Sequence, residues 1–122
     1  MDASQCFSPG QVRTQEFLVD ERSTARSLGG DDEVLGTPVI VYWLEIMASD
    51  WIHDATGHAG RSLGQFVSLQ HAAPVSQGAA VTIELKVDLV FLNTVRFAVS
   101  VTAAEDSHLV ARGRHDRAIF GI

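Results

Sequence analysis

TPVIVYWLEIMASDWIH, residues 37–53, is the stretch that decides the fold, because it reads as one long helix. Thr37 is expected as the N-cap, its hydroxyl accepting a bond from a free backbone N–H of the first turn. Pro38 follows at a position where a missing N–H costs nothing. From Val39 to Leu44 every residue is apolar or aromatic, so the helix is expected to be buried on most sides. At about four to five turns it is too short to span a bilayer. One carboxylate, Glu45, stands in its middle. An ionised carboxylate in an apolar setting is costly unless paired, hydrogen-bonded or protonated, so Glu45 is the residue to explain.

Outside the helix, composition narrows the class. The chain has 122 residues, 46% hydrophobic and 20% charged, as expected of one domain with a single core. A net charge of -6 argues against a nucleic-acid surface, which needs clustered cations. Lys86 is the only lysine, and Cys6 the only cysteine. One cysteine makes no internal disulfide and suits a reducing compartment. MDASQCFSPG lacks a basic region followed by an apolar run, so no signal peptide is read and a cytoplasmic location is expected.

Residues 1–11 are read as an irregular lead-in, and an extended segment is expected over 12–19. Residues 20–26 read as a short helical turn, and the loop at Gly29-Gly30-Asp31-Asp32 leads to the long helix. Four strands are expected after it, beginning with residues 62–71. Residues 80–89 alternate, with Val81, Ile83, Leu85, Val87 and Leu89 on one face. Residues 95–103 repeat the pattern, and 108–119 form the last strand, with Gly113, His115 and Arg117 sharing a face. Successive hairpins predict an antiparallel sheet, and a sheet curved round one helix is an α+β architecture. Its unpaired edges point to an oligomer.

The candidate residues each admit two readings. Glu45 is either paired with an arginine such as Arg117 or a nucleophile or general base in an apolar pocket. Thr37 caps the helix, a place that also favours negative charge. His71 closes the strand LGQFVSLQH, either as a satisfied turn residue or as a group that bonds a reacting carbonyl or shares a proton with Glu45. Gly64, seven residues earlier, marks a bulge or a place where backbone approaches a ligand and its N–H meets an oxyanion. His115 and Arg117, among the small residues Ala111 and Gly113, either line a cavity or form an ion pair with Asp50. His53, Asp54 and His58 straddle a helix end and a loop, a poor arrangement for a metal. No phosphate loop, dinucleotide fingerprint or nucleophile elbow is present.

Taken in order, these residues resemble the hotdog-fold acyl-CoA thioesterases, and most closely the fluoroacetyl-CoA thioesterase-like group. The resemblance rests on Thr37 and Glu45 eight apart, on Ser62-Leu63-Gly64 followed by His71, and on the ending Gly113-Arg114-His115-Asp116-Arg117-Ala118. It implies a five-stranded antiparallel sheet wrapped round the helix, and a homodimer with sites at the subunit interface. It implies thioester hydrolysis, with Thr37, Glu45 and His71 catalytic and Gly64, Arg117 and His115 binding substrate or oxyanion. No metal or cofactor is implied, coenzyme A being part of the substrate; an acyl-carrier-protein thioester is the other substrate form. The aromatic gate of the fluoroacetyl-specific member has no counterpart in residues 29–36, and Pro38 replaces an expected glycine. Recognition of coenzyme A then falls to arginines such as Arg61 or Arg96. The rival readings are an enoyl-thioester hydratase or dehydratase, whose short Asp/His motif is missing, and a non-catalytic ligand-binding protein on the same fold.

Overall fold

Residues 2–122 are described by a computed structural model. The helix, α1, spans Thr37–Ala55. Strand β1 (Val12–Leu18) precedes it, and β2 (Arg61–His71), β3 (Ala80–Phe91), β4 (Thr94–Ala103) and β5 (Leu109–Phe120) follow. The five strands form one antiparallel sheet in the order β1-β3-β4-β5-β2. The alternation seen in the sequence is the reason: Val81, Ile83, Leu85 and Val87 of β3 and Val95, Phe97, Val99 and Val101 of β4 are buried on the face toward the helix.

The expected run of successive hairpins fails at its first step. β3, β4 and β5 form a meander, but β2 pairs with β5, not with β3. The chain between β2 and β3 crosses the sheet end near the start of α1. Val75 is buried there, its carbonyl accepts from the Leu35 N–H at 2.7 Å, and Ser76 bridges to Val34. Strands β1 and β2 therefore form the two edges.

The helix is more one-sided than expected. It buries Ile40, Leu44, Met47, Ala48, Trp51 and Ile52, spaced by three and four residues. Tyr42 is 64% exposed and Ile46 is 44% exposed. The sheet covers only one stripe of α1, so an apolar sequence does not guarantee burial all round in a single chain.

The first residues hold more structure than a lead-in needs. The Ala3 N–H donates to the Leu92 carbonyl at 2.7 Å, and Phe7 is buried. Phe7 meets Trp51 edge-on at 5.6 Å and Phe97 at 6.1 Å, contacts worth about 0.5–1.5 kcal/mol each beyond area burial. At the other flank Gly113 lets β2 lie close. A Cβ there would stand 1.8 Å from the Ser68 carbonyl oxygen, so any larger residue would drive the edge strand away.

Candidate active site

The start of α1 carries the first part of the site. The N-cap is Gly36, with extended backbone and no side-chain cap bond, so Thr37 is the first helical residue and not the cap. The missing cap bond frees the threonine hydroxyl. It lies 2.8 Å from Nδ1 of His71, at the end of β2. The expected proton-sharing between His71 and Glu45 is thus replaced by a bond to Thr37. The pair opens into a cavity of about 300 Å³ walled by Val34, Ala72, Ala73 and Pro74. Nε2 of His71 is buried and has no hydrogen-bond partner among the described residues. A buried polar atom left unpaired costs roughly 1–3 kcal/mol, so this nitrogen is available to bond a water or a bound molecule.

The second part surrounds Glu45. Thr37, Val41 and Glu45 recur at intervals of four and lie on one side of α1, the side packed against β2. At 1.5 Å per residue, Glu45 stands about 12 Å along the axis from Thr37. Its side chain is 41% exposed, and Oε2 lies 3.5 Å from Nη1 of Arg117. Arg117 is therefore paired with Glu45 and not with the expected Asp50. Opposite them is Gly64, where the β2–β5 register slips between Gly64 and Phe66. The glycine is at a bulge and also at a close approach. A Cβ on it would lie 3.3 Å from Glu45 Oε2 and from His115 Cε1, and 3.4 Å from Arg117 Nη1.

His115 and Arg117 are buried, and their polar atoms meet groups of the chain itself. His115 is wholly buried. Its Nδ1 is 2.8 Å from the Phe66 carbonyl oxygen, and its Nε2 is 3.2 Å from Arg117 Nη1. Arg117 also donates from Nε to Ser62 Oγ at 2.9 Å and from Nη2 to the Ser62 carbonyl at 3.2 Å. With both ring nitrogens occupied, His115 has nothing left to offer a substrate. Ser62 and the Phe66 carbonyl were not singled out as site groups. A backbone acceptor leaves no mark in a sequence, and a serine in a strand is too common to be a signal.

Burial lowers the pKa of His115; the bond to the Phe66 carbonyl opposes this and Arg117 reinforces it. A base whose folded pKa is depressed binds fewer protons folded than unfolded below its ordinary 6.5, so stability rises with pH there. The contribution is intact above 6.5 and is lost as pH falls from 6.5 toward the folded value. Asp116 behaves alike at lower pH. Burial would raise its pKa, but bonds from Arg114 and Arg96 outweigh it and hold it below 3.8. Its contribution is therefore lost only as pH falls below 3.8 toward that depressed value. Urea midpoints should begin to fall just below pH 6.5, and His115→Gln should flatten that first step. A wild-type midpoint unchanged down to pH 4 would contradict the neutral, buried ring.

The bulky side chains Tyr42, Trp43 and Met47 of α1 do not fill the site. Trp43 stacks on Phe17 at 4.6 Å, Tyr42 faces outward and Met47 is in the core. A hydroxyl–imidazole pair in a cavity and a carboxylate beside a glycine bulge form a set suited to acyl transfer. The family model described as FlK, fluoroacetyl-CoA-specific thioesterase, matches residues 19–121. The chain belongs to the fluoroacetyl-CoA-specific thioesterase family. As a member of it the chain is a thioester hydrolase with the hotdog fold.

Solved structures agree on the fold. A hot-dog-like protein from Thermanaerovibrio acidaminovorans is similar over 99% of this chain and 89% of its own, with 21% identity and a TM-score of 0.88. The fluoroacetyl-CoA thioesterase FlK gives 23% identity and a TM-score of 0.84 over 94% of this chain and 89% of that one. A thioesterase superfamily member from Thermus thermophilus gives 22% identity and a TM-score of 0.84, covering 93% of this chain and 84% of its own. No curated protein matches the chain. Among the described residues no helix is long and apolar enough to cross a membrane.

Proposed function

We propose that the chain hydrolyses an acyl-CoA thioester at a site shared by two protomers, with Glu45 of one acting beside Thr37 and His71 of the other. The observation that carries this reading is the Thr37–His71 pair at 2.8 Å with its inner nitrogen buried and unpartnered. One carbonyl carbon cannot meet both that pair and a carboxylate about 12 Å further along the same helix. A second chain resolves the distance. Edge strand β2 exposes Leu63 and Phe66 and, among the described residues, has no strand paired on its outer side. An antiparallel pairing of two such edges, centred between Val67 and Ser68, sets Gly64 of one protomer opposite the partner's His71. The carboxylate that Gly64 accompanies then approaches the threonine–histidine pair of the other chain.

In this scheme a Glu45 oxygen attacks the thioester carbonyl. The tetrahedral oxyanion faces the Gly64 N–H, and collapse expels the thiolate. Water then cleaves the acyl–Glu45 anhydride, with His71 taking the water's proton and Thr37 holding the imidazole. The other arrangement is direct attack by water with Glu45 as base. Of the two arginines expected to meet the phosphates of coenzyme A, Arg96 is paired with Asp116 and Arg61 is exposed at the start of β2. Residues 29–36 offer no aromatic gate, so selectivity for a fluoroacetyl group is not part of the proposal. The free thiol of Cys6 suits a reducing, cytoplasmic setting.

Thiol release from acetyl-, fluoroacetyl-, benzoyl- and longer acyl-CoAs tests the reading. Turnover of several acyl-CoAs without preference for fluoroacetyl is expected. Release only from acyl-carrier-protein thioesters would overturn the coenzyme A assignment. Release from neither form would overturn the catalytic reading.

A further inference from the structure

We infer that His115 is a positioning residue, whose neutral ring turns the Arg117 guanidinium so that one N–H is left pointing at Glu45. The inference rests on the proposed role of Glu45 and adds to it the device that keeps the carboxylate in place.

The donor inventory carries the argument. A carbonyl oxygen only accepts, so His115 Nδ1, at 2.8 Å from the Phe66 carbonyl, is the protonated nitrogen. A guanidinium only donates, so Nε2, at 3.2 Å from Arg117 Nη1, presents its lone pair. The neighbours thus select one neutral tautomer. Arg117 is tied on its other side by Ser62, through Nε to the hydroxyl and through Nη2 to the carbonyl. Nη1, which gives one N–H to His115, also stands 3.5 Å from Glu45 Oε2, so its second N–H is the one left for the carboxylate. Glu45 lies on α1, and Ser62 and Phe66 lie on β2 on either side of the Gly64 bulge. His115 and Arg117 of β5 therefore connect the bulge, the helix and the carboxylate through side chains that are almost wholly buried.

A second proton on His115 breaks this arrangement. Nε2–H would then face Nη1–H, donor against donor and cation against cation. The charged groups around the ring are Arg117 and Asp116 of its own strand and Glu45 from α1; β2 offers only the Phe66 carbonyl and β4 offers Phe97. The ring's exchange of protons thus acts on Glu45 through Arg117, with no contact between His115 and substrate.

The test combines nitrogen NMR of the side chains with kinetics on acetyl-CoA and benzoyl-CoA. At pH 7 the wild-type His115 signals should report the neutral Nδ1–H tautomer, and Arg117 should show resolved, slowly rotating Nη signals. In His115→Phe these Nη signals should merge, and kcat should fall about ten- to hundredfold with KM within about twofold, as expected of a misplaced catalytic group. His115→Gln, whose amide oxygen still accepts from Arg117, should restore much of the loss. A wild-type Nε2–H tautomer at pH 7, or an Arg117 that stays fixed in His115→Phe, overturns the inference without any need for turnover. Full activity in His115→Phe beside an inactive Glu45→Gln overturns the inference alone. Activity in Glu45→Gln overturns the role of Glu45, and the Arg117 signals still decide whether His115 orients the guanidinium.

Discussion

Replacing Glu45 by glutamine is expected to lower kcat by about 10³-fold while the protein stays folded. The amide keeps the size of the carboxylate and removes the nucleophile or base. Stability should change little, for two reasons. The Glu45 side chain is 41% exposed, so solvent screens the pair, and the glutamine amide oxygen still offers the buried Arg117 an acceptor. Arg117 also keeps its bonds to Ser62 and His115. Thiol release and a urea melt on the same preparation check both halves. Turnover within tenfold of wild type would remove Glu45 from the chemistry, and a collapse in the melt would make it a structural ion pair.

His71→Ala is expected to cost about 10²- to 10⁴-fold in kcat, the usual range for a general acid–base group. The effect on stability should run the other way from an ordinary buried deletion. Wild-type His71 holds an unpartnered buried nitrogen, and its removal relieves that cost within a single chain. Thr37→Val tests the partner. It leaves both ring nitrogens of His71 unpaired, so it should lower kcat and stability together, whereas Thr37→Ser should retain both. The unfolding midpoint of His71→Ala should therefore stand above that of Thr37→Val. The reverse order would show that the pair serves the fold first.

Much of the architecture was legible because it repeats. The apolar positions of α1 at Ile40, Leu44, Met47, Ala48, Trp51 and Ile52 and the alternation in β3 and β4 are patterns that side-chain periods of 3.6 and 2 impose. What covers a helix is not periodic, and the exposed Tyr42 and Ile46 show that apolarity was a poor guide to burial in one chain. The pairing of β2 with β5 was hidden for a related reason. Strand pairing is settled by which edge is free after the meander forms, and Pro74-Val75 carries no statement of destination.

The site was legible as a list and not as a geometry. Glu45 and His71 stood out as polar residues amid or at the end of apolar runs, Thr37 by its helix-start position, Gly64 as a glycine within a strand, and His115 and Arg117 as polar residues sharing a strand face with Ala111 and Gly113. Their grouping depends on the helix rise, the bulge at Gly64 and bonds to backbone carbonyls, none of which a residue type specifies. Thr37 illustrates the difference. Its helix-start position implied a cap, yet Gly36 caps the helix through backbone alone and leaves the hydroxyl to His71.

The most direct test of a shared site mixes two inactive variants. Glu45→Gln and His71→Ala proteins are unfolded together, refolded and assayed. In a two-fold dimer a mixed pair has one site with both lesions and one site with neither. Random reassortment then returns about a quarter of wild-type activity from two preparations that are inactive apart. If the mixture stays inactive although mixed dimers are shown to form, each site lies within one chain and the account of Glu45 acting beside the partner's His71 is wrong.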